Sequence, residues 1–160
     1  MLATVLALAV PAAEGAESLP ITQTSIGAKL GLGKADYKRI FGKPARLDRL
    51  EGGLTRFVFA RVDVEVYFAA GRDAGIWITT WNRSFRTAAG SGPCSTVADL
   101  SAVYGARLRP VRLGSEVIAY RLGKLAFAVA GKRVGSVVLG EGRQAVFAAA
   151  STPDCGAPGA

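Results

Sequence analysis

The sequence predicts an α+β fold of two tandem helix-plus-antiparallel-meander repeats, their sheets joined into one concave surface with the helices on the other side. Three observations carry this. The run Ala35-Asp36-Tyr37-Lys38-Arg39-Ile40-Phe41-Gly42 recurs 63 positions later as Ala98-Asp99-Leu100-Ser101-Ala102-Val103-Tyr104-Gly105. After each copy the hydrophobic period shortens from helical spacing to two. The stretches that follow also align, Gly71-Arg72-Asp73-Ala74-Gly75 with Gly131-Lys132-Arg133-Val134-Gly135 at an offset of 60, which sets Tyr67 opposite Phe127. Units that cannot each bury a hydrophobic face gain stability by sharing one, and the join makes an extended surface.

Taken in order, residues 1–15 read as a signal peptide: an apolar run at 2–10, the breaker Pro11, then Ala13-Glu14-Gly15 with small residues at a cleavage site. A secreted or periplasmic location follows as the expectation. Residues 18–24 form a polar lead and 25–32 a glycine-interrupted segment. The first helix starts at Gly33-Lys34 and stops at Gly42, with Pro44 beyond and Tyr37, Ile40 and Phe41 as its buried stripe. Strands are expected at 54–60, 62–68 and 76–81, with turns at Glu51-Gly52-Gly53 and at 70–73. Ser95-Thr96 caps the second helix, which runs to Gly105 and buries Val97, Leu100, Val103 and Tyr104. Strands follow at 107–112, 116–122, 125–130, 134–139 and 144–149. Repeat 1 thus spans 25–86, the linker 87–94, repeat 2 95–150 and the tail 151–160.

Half of the 160 residues are apolar, which is globular composition. No apolar run after the leader reaches the eighteen or so residues that cross a bilayer. The formal charge is +8, and loss of Glu14 with the leader makes it +9. The bases are spread from Lys29 to Arg143 in runs of at most two, a pattern of solubility more than of specific nucleic-acid binding. An anionic envelope polymer remains a partner of the second rank. Cys94 and Cys155, the only cysteines, are expected to form a disulfide in an exported protein. The chain has no His, which removes Ser-His-Asp and Cys-His catalysis and leaves a metal site short of ligands; neither cofactor nor enzyme activity is expected. Asn82-Arg83-Ser84 spells a glycosylation sequon, but the Ala, Gly and Arg bias looks bacterial and the match reads as coincidence.

The phrase Ile26-Gly27-x-x-Leu30-Gly31-x-Gly33-Lys34-x-Asp36-x-x-x-Ile40-Phe41-Gly42-x-Pro44, followed by an aromatic meander, resembles the repeat unit of the small outer-membrane-assembly lipoprotein family. Its duplication is similar to that in the β-lactamase inhibitor proteins of actinobacteria. The resemblance implies a helical element on a four-stranded sheet in each half, with the two sheets joined into a concave surface that clasps a protein. Two features depart from it: no lipobox cysteine follows the leader, and the first half contains no cysteine, where the inhibitors carry a disulfide in each half.

The positive functional signal is aromatic. On the strand at 76–81, alternation sets Trp77, Thr79 and Trp81 on one face and Ile76, Ile78 and Thr80 on the other. The neighbouring strand sets Asp63, Glu65 and Tyr67 on one face, with Arg83 close by. Trp, Tyr and Arg dominate binding hot spots, so Tyr67, Trp77, Trp81, Glu65, Asp63 and Arg83 are the candidate site of a non-enzymatic module that binds a protein partner. The competing expectation is an assembly factor of the cell envelope held to anionic polymer or lipid.

Overall fold

The computed structural model describes residues 19–142 and residue 155. The signal-peptide reading, the strand at 144–149 and most of the tail lie outside the described residues. Among the described residues the fold is α+β: one large antiparallel sheet, a small second sheet and two short α-helices.

The large sheet has eight strands in the order β4-β5-β6-β7-β12-β11-β10-β9. Its members are β4 (Arg46–Arg49), β5 (Thr55–Phe59), β6 (Val64–Phe68), β7 (Gly75–Thr80), β9 (Arg109–Leu113), β10 (Glu116–Leu122), β11 (Leu125–Ala130) and β12 (Arg133–Leu139). Sequential hairpins run inward from both edges and meet at β7 and β12, which pair Thr80 with Val137, Thr79 with Val138 and Ile78 with Leu139. The sheet is therefore continuous across the two halves. The small sheet joins β1 (Leu19–Ile21), β2 (Ser25–Ile26) and β3 (Ala28–Lys29) to β8 (Phe85–Thr87) through a parallel β1–β8 pair.

Both helices and the small sheet bury against one face of the large sheet. Alternation along the strands turns Phe57, Phe59, Val64, Val66, Phe68, Ile78, Leu125, Phe127, Val137 and Leu139 toward that side, where they meet Ile21, Ile26, Tyr37, Phe85, Leu100 and Tyr104. Helix α1 (Lys34–Phe41) matches its expected span but buries only Tyr37; Ile40, placed in the buried stripe, is 46% exposed. An eight-residue helix across three strands covers little beyond the turn that touches the sheet. Gly75 makes that touch possible, since a Cβ there would meet the Tyr37 hydroxyl oxygen at 2.6 Å and its ring carbons at 2.7 and 2.9 Å. Helix α2 (Val97–Tyr104) starts at the expected cap, where Thr96 accepts from Asp99 N–H and Asp99 returns the bond to Thr96 N–H. It buries Leu100 and Tyr104, and leaves Val103 exposed.

Two further expectations change, and the expected disulfide is present. Arg46–Arg49 is a strand that the alternation did not show, the polar lead contributes β1, and the end of repeat 1 with the first linker residue contributes β8. Tyr67 and Phe127 lie on opposite faces of the sheet, because the side-chain period is two and a one-residue slip in an alignment exchanges faces. Cys94 and Cys155 are bonded, with 5.4 Å between their Cα atoms.

Candidate functional site

The face turned away from the helices brings three of the six predicted site residues together. Tyr67 and Glu65 alternate onto it from β6, and Trp77 comes from β7 as the cross-strand partner of Tyr67. The Tyr67 and Trp77 rings are 5.8 Å apart at centroid, and the Tyr67 hydroxyl donates to Glu65 Oε2 at 2.6 Å. Residues that the sequence reading did not single out extend the group. Arg56 on β5 approaches Glu65 Oε1 at 3.3 Å and donates twice to Asp48 Oδ2 on β4, at 2.6 and 3.0 Å. Arg46 donates to the same oxygen at 2.9 Å. A row Arg46–Asp48–Arg56–Glu65–Tyr67 thus crosses three strands, each charge next to one of opposite sign.

Electrostatics follow this order. The Arg56 hydrogen bond, more than the charge of Arg46, holds the Asp48 carboxyl below the usual carboxylate range. Burial, reinforced by neighbouring Glu65, raises the Tyr67 phenol far above its ordinary value and keeps it a neutral donor. Burial opposes the charge on Arg56, but its bonds to Asp48 and Tyr67 more than offset this and raise its pKa.

The expected open pair of indoles does not form. Tyr67 is 1% and Trp77 8% exposed, and Glu65 is buried beside them. Trp77 Nε1 donates to Glu141 O at 3.0 Å, which ties the indole to the turn after β12. Trp81 falls past the end of β7, where its N–H donates to Asp63 O at 3.3 Å; it is half-buried. Asp63 does not share the β6 face either: it sits in the turn before β6 with φ +50°. Arg83 is exposed in the loop that follows. The six residues therefore divide into a buried set (Tyr67, Trp77, Glu65) and a set at the β6–β7 strand ends (Asp63, Trp81, Arg83). The sequence signal that could have found Arg56 is its place between Thr55 and Phe57 in an alternating strand, on the face opposite the phenylalanines.

Two other features adjoin the site. Thr79, which pairs with Glu65 across β6–β7, has a buried hydroxyl with no hydrogen-bond partner among the described residues. A cavity of about 520 Å³ opens where the small sheet meets the β7–β12 seam, lined by Gln23, Leu30, Ile76, Trp77, Lys124 and Glu141 among others. Among the described residues no group of three or more Cys, Asp or Glu is placed to hold a metal ion. No described helix is long and apolar enough to cross a membrane.

No protein-family model matches the chain, and no curated protein does. Among solved structures, a DUF4309 family protein (YjgB) from Bacillus subtilis is similar at a TM-score of 0.43 and 17% identity, over 69% of this chain and 78% of that one.

Proposed function

We propose that this protein is an exported, non-enzymatic binding module, a tandem helix-plus-meander repeat that receives a protein partner on the sheet surface opposite its helices. The observation that carries the reading is the row Arg46–Asp48–Arg56–Glu65–Tyr67 with Trp77 behind it. It sets hot-spot residue types in one fixed geometry on the face opposite the helices, whose centre is buried and whose β4–β5 end is accessible. Side chains immobilised before contact lose less entropy on binding, so a pre-paired row suits recognition. Within it the roles differ. Glu65, Tyr67 and Trp77 are buried supports, while Arg46, Asp48 and Arg56 at the β4–β5 end, with Trp81 at the strand ends, are the groups a partner reaches. The repeat reading draws support from the strand order, in which a helix precedes each four-strand meander and the two meanders meet through their last strands.

Affinity capture from an envelope and culture-supernatant extract tests this. A discrete protein retained through moderate salt by wild type, and lost on Trp81→Ala with Arg46→Ala while the melting temperature holds, is the expected result. Capture indifferent to those changes would overturn the reading. So would binding only to anionic polymer or vesicles that collapses with salt, since screening removes exposed charge pairs first.

A further inference from the structure

We infer that the free edge of β4 is a docking site for an extended peptide of alternating acidic and apolar residues, which adds to the large sheet as a ninth strand. The inference does not rest on the opposite-face reading above: it uses the edge of the sheet and its helix side.

β4 ends the sheet order, with β5 its only partner there among the described residues. The hydrogen bond from Leu50 N–H to Leu54 O sets the phase of the ladder. Bonded and non-bonded pairs alternate in antiparallel strands, so Asp48↔Arg56 and Arg46↔Val58 are bonded, while Leu47↔Phe57 and Arg49↔Thr55 are not. The N–H and C=O groups of Leu47 and Arg49 therefore point outward, as a template for another strand.

The side chains of the same two residues face the helix side, which α1 does not cover as far as β4. Leu47 is 54% exposed. The ammonium of Lys38 lies 5.3 Å over the ring of Phe57, the cross-strand partner of Leu47. The ammonium of Lys34 lies 5.3 Å over Phe68, whose partner Thr55 also pairs with Arg49. Residues of an added strand opposite Leu47 and Arg49 would lie in a trough floored by Leu47 and rimmed by Arg49, with Lys38 one strand further in over the buried Phe57. An apolar side chain suits that floor and carboxylates suit that rim. The neighbouring acids are engaged elsewhere: Asp36 with Arg39, Asp48 with Arg46 and Arg56, and Asp73 on the N–H of Lys34, while Glu51 sits in the turn beyond β4.

The opposite edge of the sheet is built differently. β9 contains Pro110, which has no N–H to offer, and its ladder with β10 shifts register between Val117 and Ala119. Proline and bulges block an edge, and between Arg46 and Arg49 β4 has neither; Pro44 and the Ala45 N–H bond to Val58 O precede it, and what guards the four-residue edge itself is its charge. Its cations instead discriminate among partners. A second copy of this chain would set its own Lys38 and Arg49 against these, so they disfavour self-pairing and favour an acidic strand.

The test measures fluorescence anisotropy of a fluorescein-labelled peptide of alternating Glu and Val against the full chain, with amide hydrogen exchange read on the same mixture. Saturable binding is expected, with new protection at the amides of Leu47 and Arg49. Lys38→Glu with Arg49→Glu should weaken it at least about tenfold, roughly the loss of 1.4 kcal/mol. Leu47→Pro removes an outward N–H and no ladder bond, so it should abolish binding with little change in melting temperature. Trp81→Ala should leave it intact, which separates failure of this inference from failure of the opposite-face reading. Peptide binding unchanged by Leu47→Pro, protection appearing elsewhere, dimerisation through β4 that excludes the peptide, or no binding at millimolar peptide would each overturn it.

Discussion

Glu65 is 4% exposed in a face whose other central side chains are mostly small, Thr79, Ser136, Val138 and Ala126 among them, and its carboxyl oxygens meet Arg56 and the Tyr67 hydroxyl. Arg56 in turn depends on Asp48. The Asp48 carboxyl is depressed below its ordinary value by the Arg56 bond first, which gives the pH dependence its sign. A depressed folded value contributes stability that is fully present above the unfolded pKa, about 3.9, and is lost as pH falls through the folded value. Wild type should therefore melt above Asp48→Asn near neutral pH, and the gap should close as the solution is acidified below about pH 4. Melting curves of both proteins across that range check it, and a gap that widens on acidification would refute the assignment. Alternation alone showed that Glu65 and Tyr67 share a face. It could not show that Arg56 and Asp48 join them, because which residues stand across from one another depends on strand register, and register is a property of the assembled sheet.

Helix and strand spans followed from local chemistry wherever that chemistry was strong. The Thr96–Asp99 capping box and the terminal Gly105, which takes φ +49°, mark the ends of α2 in any context, and the alternating runs gave β10 and β11 residue for residue. β4 stayed hidden because Arg46-Leu47-Asp48-Arg49 has one apolar residue and is an edge strand, where charges are tolerated on both faces. The contact of α1 with the sheet was hidden too, since the need for a glycine at position 75 arises only when Tyr37 lies across β7 with its hydroxyl on Lys29 O at 2.8 Å. Gly75→Ala should cost about 1–3 kcal/mol by overpacking that contact, measured by urea denaturation. Tyr37→Phe with Gly75→Ala should recover little of the loss, because ring carbons as well as the hydroxyl oxygen crowd the added methyl.

At the level of the molecule, one sheet spans both halves and one core of helix-side residues crosses the β7–β12 seam. The Cys94–Cys155 bond adds a covalent tie across 61 residues. In the chain-entropy account a loop of that length stabilises by up to about 4 kcal/mol, so Cys94→Ser with Cys155→Ser should lower stability by up to that amount; equal urea midpoints for the two proteins would contradict it. The sequence by itself determined the α+β class, both helices, seven of the eight strands of the large sheet and the cysteine pair, because each is encoded by periodicity, caps, turn residues or count. Only the tertiary structure decided that Leu19–Ile21 pairs in parallel with Phe85–Thr87, that the indole and phenol expected at an open surface are buried, and that β4 is an exposed edge of the large sheet. These depend on which segments meet across the chain, and burial and pairing of that kind are set by packing between distant residues, which no local pattern carries.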